Sequence, residues 1–172
     1  MMEKEELQAR VETTESFSIK LEQILPWQDG QYAEVFLGIR DYDEISAKMS
    51  EEVKNSLLYH LGTHIQKHLK GQEMVCHVKK DEFLLLLDNH VEAASEKIGH
   101  IIIMFEAMIG DKYPEIPIHL YSGIYYLESR GYRPEEIFRI GKTLKNKAKR
   151  YTTVENSIYE NRKSAGNIID KE

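Results

Sequence analysis

A chain of 172 residues, 41% of them hydrophobic and 30% charged, suits one domain with a sizeable core and is too apolar for a disordered tail. Its net charge of −6 argues against a dedicated nucleic-acid binder, which carries a basic face. The longest apolar runs, such as Phe83 to Leu87 and Ile101 to Phe105, are far shorter than the roughly 20 residues that span a bilayer, so no membrane insertion is expected. The acidic start Met1-Met2-Glu3-Lys4-Glu5-Glu6 is unlike a secretory leader, and a cytoplasmic location is expected.

In chain order, Leu7, Val11, Phe17, Leu21 and Ile24 fall on roughly one side of a helix over residues 5 to 25, ended by Pro26. Asp29-Gly30 marks a turn, and Tyr32 to Ile39, rich in β-formers, reads as a buried strand. Met49, Val53, Leu57, Leu61, Ile65 and Leu69 recur at helical spacing, which predicts a long helix from Ser46 to Lys70, broken near its start and stopped by Gly71. Glu73 to Val78 and Glu82 to Leu87 form a hairpin. A helix is expected from Val91 to Ile109, closed by Gly110, then a strand from Ile118 to Leu127. Pro134-Glu135-Glu136 opens the last long helix, and Ser157 to Glu160 offers a final strand.

This order predicts an α/β (α+β) domain, with an antiparallel hairpin inside a mixed sheet covered by helices. The expected division is an N-terminal helix or signalling segment (1–25), a main domain (26–162) and a polar tail (163–172). Cys76 sits inside an apolar strand and reads as a small buried hydrophobe rather than a reactive thiol. His60, His64 and His68 stack on one helix face beside the apolar stripe; they are placed at the solvent edge, and no metal site is expected from them. The run Arg139, Lys142, Lys145, Lys147, Lys149 and Arg150 reads as a solvated helix face with cations near its C-terminus.

The hairpin carries the most specific signal. Val75-Cys76-His77-Val78 and Phe83-Leu84-Leu85-Leu86-Leu87 flank the charged turn Lys79-Lys80-Asp81-Glu82. Together with Val35 to Asp43 on the first strand, Ser122-Gly123-Ile124 on a later one and the closing Lys147-Ala148-Lys149-Arg150, in matching order and spacing, the chain resembles the GGDEF domain family over about residues 14 to 160. That resemblance implies the GGDEF, nucleotidyl-cyclase-like fold: a central, mostly antiparallel sheet covered by helices, with an N-terminal helix. Active members are diguanylate cyclases, which condense two GTP into cyclic di-GMP.

By the same resemblance Asp81 stands at a metal carboxylate and Glu82 at the catalytic-site glutamate, while Gly38 stands where the first strand has its metal-binding aspartate. Lys79 and Lys80 replace the two glycines, which in the family supply positive φ and close approach to phosphate. Ser46 and Asn55 replace the guanine-reading asparagine and aspartate, and Lys149 matches a phosphate-contacting lysine. Lys70 and Glu73 stand at the Arg-x-x-Asp pair of the family's product site, with lysine unable to copy arginine's fork; as a polar turn they are placed on the surface.

These substitutions lead to the expectation of a degenerate GGDEF domain. It is read as no enzyme, with no catalytic residues beyond the remnants Asp81 and Glu82 and with no cofactor or metal. Its role is regulation or protein interaction in bacterial cyclic di-GMP signalling. Two alternatives stay open. One is a receptor for GTP or cyclic di-GMP using Lys79, Lys80, Asp81, Glu82 and Lys149, with Lys70 and Glu73 as a cyclic di-GMP contact; the other is a residual nucleotidyl cyclase. The expected partner is a protein, or a second copy engaged through Phe17, Leu21 and Ile24 of the N-terminal helix.

Overall fold

The computed structural model describes residues 11–27, 31–90, 92–127 and 131–161. The helix α1 (Thr14–Ile24) runs into a single 3₁₀ turn (Leu25–Trp27) and precedes β1 (Tyr32–Ile39), α2 (Tyr42–Ser46) and α3 (Glu51–Lys67). The hairpin β2 (Met74–Lys79) and β3 (Glu82–Asp88) leads to α4 (Ala94–Lys112), β4 (Leu120–Tyr126), α5 (Pro134–Tyr151) and β5 (Ile158–Asn161). One five-stranded sheet runs β2-β3-β1-β4-β5, antiparallel throughout except for the parallel pair β4 and β5.

β1 lies at the centre with all eight residues buried, because both faces of the sheet are covered. Alternate residues therefore serve different layers. Val35, Leu37 and Ile39 meet Leu57, Leu61 and Ile65 of α3 and Ile98, Ile101 and Phe105 of α4. Phe36 of β1 and Leu84 of β3 face Phe17 and Leu21 of α1 and Ile137, Leu144 and Ala148 of α5. Glu34 interrupts this second layer. Its side chain is fully buried and neither carboxyl oxygen has a hydrogen-bond partner among the described residues.

Several expectations are corrected at element ends. Helix α1 starts at Thr14, because Thr13 caps it through Ser16 (the Ser16 N–H donates to Thr13 Oγ1 at 3.0 Å) and because Glu12 is drawn into strand-like pairing. The Glu12 N–H donates to the Val75 carbonyl at 2.8 Å, beside Cys76. Residues 5 to 10, the Asp29-Gly30 turn, Val91 and the tail 163–172 lie outside the described residues. Within the predicted 46–70 helix the regular helix is α3, Glu51–Lys67, capped by Ser50 through the Val53 N–H; the expected break near the start falls between it and α2, which ends at Ser46. Gly110 does not close α4, which continues to Lys112.

The N-terminal helix also uses its apolar face differently from the expectation. Phe17 and Leu21 are fully buried against the domain's own sheet and α5, so the face proposed for a second copy is occupied within the chain. The histidine row is corrected as well. His64 is buried and donates to the Ile101 carbonyl at 3.2 Å, and burial holds its pKa below the ordinary value, with the neighbouring His68 adding to the effect. Cys76 is buried, and burial lifts its thiol pKa to about 12, in keeping with a packing role.

Candidate functional site at the end of the central strand

The register of the sheet brings the C-terminal end of β1 beside the hairpin turn, since Leu37 pairs with Phe83 and Gly38 pairs with Tyr121 of β4. The chain leaves β1 sharply, through Asp41 at φ 56°, and enters α2. The hairpin reverses through Lys80 at φ 47°. Among the described residues these two are the non-glycine residues with positive φ, a conformation that costs roughly 1–2 kcal/mol each. Both line one cavity of about 300 Å³. Backbone strain concentrated at a cavity mouth marks a candidate site.

The turn is fixed from behind. The His77 ring stacks on Phe83 at 4.6 Å between centroids, and its Nε2–H donates to the Lys80 carbonyl at 2.6 Å. Asp81 folds back onto β1, where its Oδ2 accepts the Ile39 N–H at 2.8 Å. Gly38 makes room for this. A Cβ at position 38 would lie 2.9 Å from the Phe36 ring and 3.1 Å from Asp81 Oδ2. Burial pushes the Asp81 pKa up, against the lowering effect of the Ile39 N–H.

From the other side α5 contributes Lys145 and Lys149, one turn apart and so on one helix face. Lys145 Nζ binds Glu82 Oε2 at 2.5 Å. Arg40, just past the end of β1, lies over the Tyr121 ring at 5.3 Å and donates from Nη2 to Thr152 Oγ1 at 2.6 Å and to the Thr153 carbonyl at 3.3 Å. Its Nε is buried with no partner among the described residues. The cavity is therefore lined by the cations Arg40, Lys80, Lys145 and Lys149 and by the carboxylates Asp41, Asp43, Glu44, Asp81 and Glu82, with Lys80 paired to Asp43 and Lys145 to Glu82. Among the described residues Arg40 and Lys149 are in no ion pair, and these two cations are the ones placed to meet an anion with several oxygens, such as a phosphate chain.

Of the residues singled out from sequence, Lys80, Asp81, Glu82 and Lys149 come together here. The others do not. Lys79 lines a neighbouring cavity of about 410 Å³ under α5, with Leu84, Phe138 and Lys142, which shares Glu82 and Lys145 with the first. Asn55 lines a third, of about 790 Å³, between α3 and the hairpin, and the Ser46 hydroxyl donates to the Asp43 carbonyl at 3.4 Å. Glu73 is not on the surface as expected. It is buried and accepts from the Lys70 N–H at 2.9 Å, the Asp88 N–H at 3.0 Å and Lys97 Nζ at 2.6 Å, while Lys70 itself is exposed.

Sequence reasoning missed Arg40 and Lys145. The four-residue spacing of Lys145 and Lys149 was the available signal, but it reads equally well as a solvated face.

Comparison with known proteins places these features in a family. The family model described as "Diguanylate cyclase, GGDEF domain" matches residues 5–153. No curated protein matches the chain by sequence. Among solved structures it is similar to the GGDEF domain of DgcB from Caulobacter crescentus in complex with c-di-GMP, with 12% identity and a TM-score of 0.67 over 87% of this chain and 91% of that one. It is also similar to the active GGEEF domain of a diguanylate cyclase from Vibrio cholerae, at 16% identity and TM-score 0.63 over 86% and 93% of the two chains. A third is the diguanylate cyclase SiaD in complex with its activator SiaC from Pseudomonas aeruginosa, at 13% identity and TM-score 0.63 over 81% of this chain and 55% of that one.

These matches bear out the expected fold and family. They correct the expectation of a chain that is no enzyme, because the matching model is that of diguanylate cyclases and points to an enzyme. Among the described residues no helix is long and apolar enough to cross a membrane.

Proposed function

This chain belongs to the GGDEF domain family of diguanylate cyclases, and from that premise we propose that it is a regulatory domain of cyclic di-GMP signalling that takes a guanine nucleotide, GTP or cyclic di-GMP, by its phosphates at the end of β1. The observation that supports the reading is the convergence of Arg40 and Lys149, which are in no ion pair among the described residues, with the paired Lys80 and Lys145, from three separate parts of the chain, on one cavity that Asp41, Asp43, Glu44, Asp81 and Glu82 also line. Helix α5 alone would give a basic stripe; the left-handed turns at Asp41 and Lys80 make it a pocket.

Cyclic di-GMP is assigned to the same pocket rather than to Lys70 and Glu73. All the hydrogen bonds of Glu73 named above are internal, and breaking its pair with Lys97 to receive a ligand would leave a buried lysine with only the longer contact to Glu92 at 3.9 Å. A protein partner that reads the nucleotide state completes the proposal.

Calorimetric titration with GTP and with cyclic di-GMP tests it. Binding of at least one is expected, weakened about tenfold or more by Lys149→Ala, since a charge-assisted contact to phosphate is worth roughly 1.5–3 kcal/mol. Binding of neither, or equal binding by the variant, overturns the reading. Chromatography of labelled GTP from the same samples measures how much of the family's chemistry the pocket performs.

A further inference from the structure

The neighbouring cavity under α5, of about 410 Å³, differs in kind from the one at the end of β1. Its size falls within the roughly 300–1,000 Å³ of small-molecule sites, and its lining is mostly apolar. Phe36 and Leu84 reach it from the sheet, and Val78 near the end of β2 and Phe138 of α5 are its half-buried walls. The Phe138 ring is held by an edge contact with Phe17 of α1, 6.0 Å between centroids, so this wall stands before any ligand arrives. At Gly141 the helix lies close on the sheet, where a Cβ would meet Leu84 Cδ2 at 2.8 Å and Glu34 Oε2 at 3.1 Å. The cavity is thereby closed beneath and open only at its rim.

The charged residues that line it are Lys79, Lys142, Lys145 and Glu82. Lys145 and Glu82 are bound to each other. That leaves Lys79 of the hairpin and Lys142 of α5, both exposed and in no ion pair among the described residues. Two unpaired lysines above an apolar hollow complement a molecule with an apolar body and one anionic end, whose two oxygens meet one lysine each. A phosphate chain would leave the apolar walls wet, and a neutral hydrocarbon would leave the lysines unused. We infer that this cavity is a second binding site, for a small hydrophobic carboxylate, with its acyl or aryl body on Phe36, Leu84 and Phe138 and its carboxylate at Lys79 and Lys142. Lys145 and Glu82 line both cavities, so the carboxylate draws on a cation that the nucleotide phosphates also meet. The two ligands therefore weaken each other, by the same factor in both directions. This coupling rests on the nucleotide reading above; the carboxylate site does not.

The experiment is calorimetric titration of the full chain with decanoate and with naphthoate, below micelle formation, beside the uncharged decanol and naphthol. Saturable binding of at least one acid is expected, about fivefold or more tighter than its alcohol. Which acid binds separates an acyl from an aryl ligand. Lys79→Gln together with Lys142→Gln, at two exposed positions, should abolish the preference for the acid, with a circular-dichroism melt confirming that the variant is folded. Binding of neither acid, or a folded double variant that keeps the parent's preference, overturns the inference. GTP is then titrated with and without saturating acid, and its affinity is expected to fall about fivefold or more. An unchanged GTP affinity overturns the coupling. GTP binding in neither condition overturns the nucleotide reading and the coupling with it, and leaves the carboxylate site standing on its own titration.

Discussion

The turn before β2 and the turn after it are built from the same residue types, lysines and acids around one left-handed residue, yet only the second keeps its charges on a cavity. In the first, Gly71 takes φ 59° without a side chain to clash, and Glu73 is consumed by Lys97 and two backbone N–H groups. In the second, Lys80 takes φ 47° against its own Cβ, and Glu82 is paired with a lysine that still faces the pocket. The difference is partner geometry. Lys97 of α4 is as buried as Glu73, which makes a structural clamp, whereas Lys145 of α5 reaches Glu82 from the cavity wall, which makes a site. A sequence motif at a turn thus yields structure or a site according to which helix lies opposite it.

The largest effect that would break this contrast lies in the clamp. Glu73→Ala takes from buried Lys97 its close partner, leaving only the exposed Glu92 at 3.9 Å, with an expected loss of about 3 kcal/mol in urea unfolding. Glu82→Ala, which frees a lysine in contact with solvent, is expected to cost at most about 1 kcal/mol. Similar losses for the two variants would erase the distinction between clamp and site.

A second test uses Glu34, a carboxyl with neither clamp nor cavity. Burial raises its pKa well above the ordinary 4.5, so the folded state keeps this proton at pH values where the unfolded chain has lost it. The stability associated with the neutral acid is complete below pH 4.5 and is lost as pH rises toward the folded value. The expected slope approaches about 1.4 kcal/mol per pH unit in that window. Asp81 shifts in the same direction and adds to it. Glu34→Gln should remove most of the slope in unfolding curves taken across the window; an unchanged slope would exclude Glu34 as its source.

The smallest effects are at the left-handed residues themselves. Gly71→Ala should destabilise by about 1 kcal/mol, and Lys80→Gly should stabilise by up to about 1 kcal/mol. Thermal melts of the two variants read both. A destabilised Lys80→Gly chain would mean that the lysine side chain, through its ion pair with Asp43 at 3.4 Å, matters more than the backbone strain it imposes.

The pattern of what the sequence disclosed follows from range. β1, the hairpin and the start of α5 were legible because their signals are local: a run of β-formers from Tyr32, a polar turn between two apolar runs, and Pro134 at a first helical turn. The start of α1 was misread although Thr13 and Ser16 were there to see, because apolar spacing continues upstream through Val11 and outweighed the cap. Glu73 was misplaced because its partner Lys97 lies on another element, 24 residues away. The resemblance set Gly38 and Asp81 at one site, but that Asp81 folds back onto the Ile39 N–H could not be read. It is a matter of space, one missing side chain making room for a carboxylate from the neighbouring strand.

The central claim, that the cavity at the end of β1 is a nucleotide phosphate site, is tested most directly by a crystal structure of the chain grown with a non-hydrolysable GTP analogue. The triphosphate is expected between Arg40, Lys80, Lys145 and Lys149, with the Asp81 contact to Ile39 intact. Phosphates seated anywhere else, the Lys70–Glu73 turn included, would contradict it.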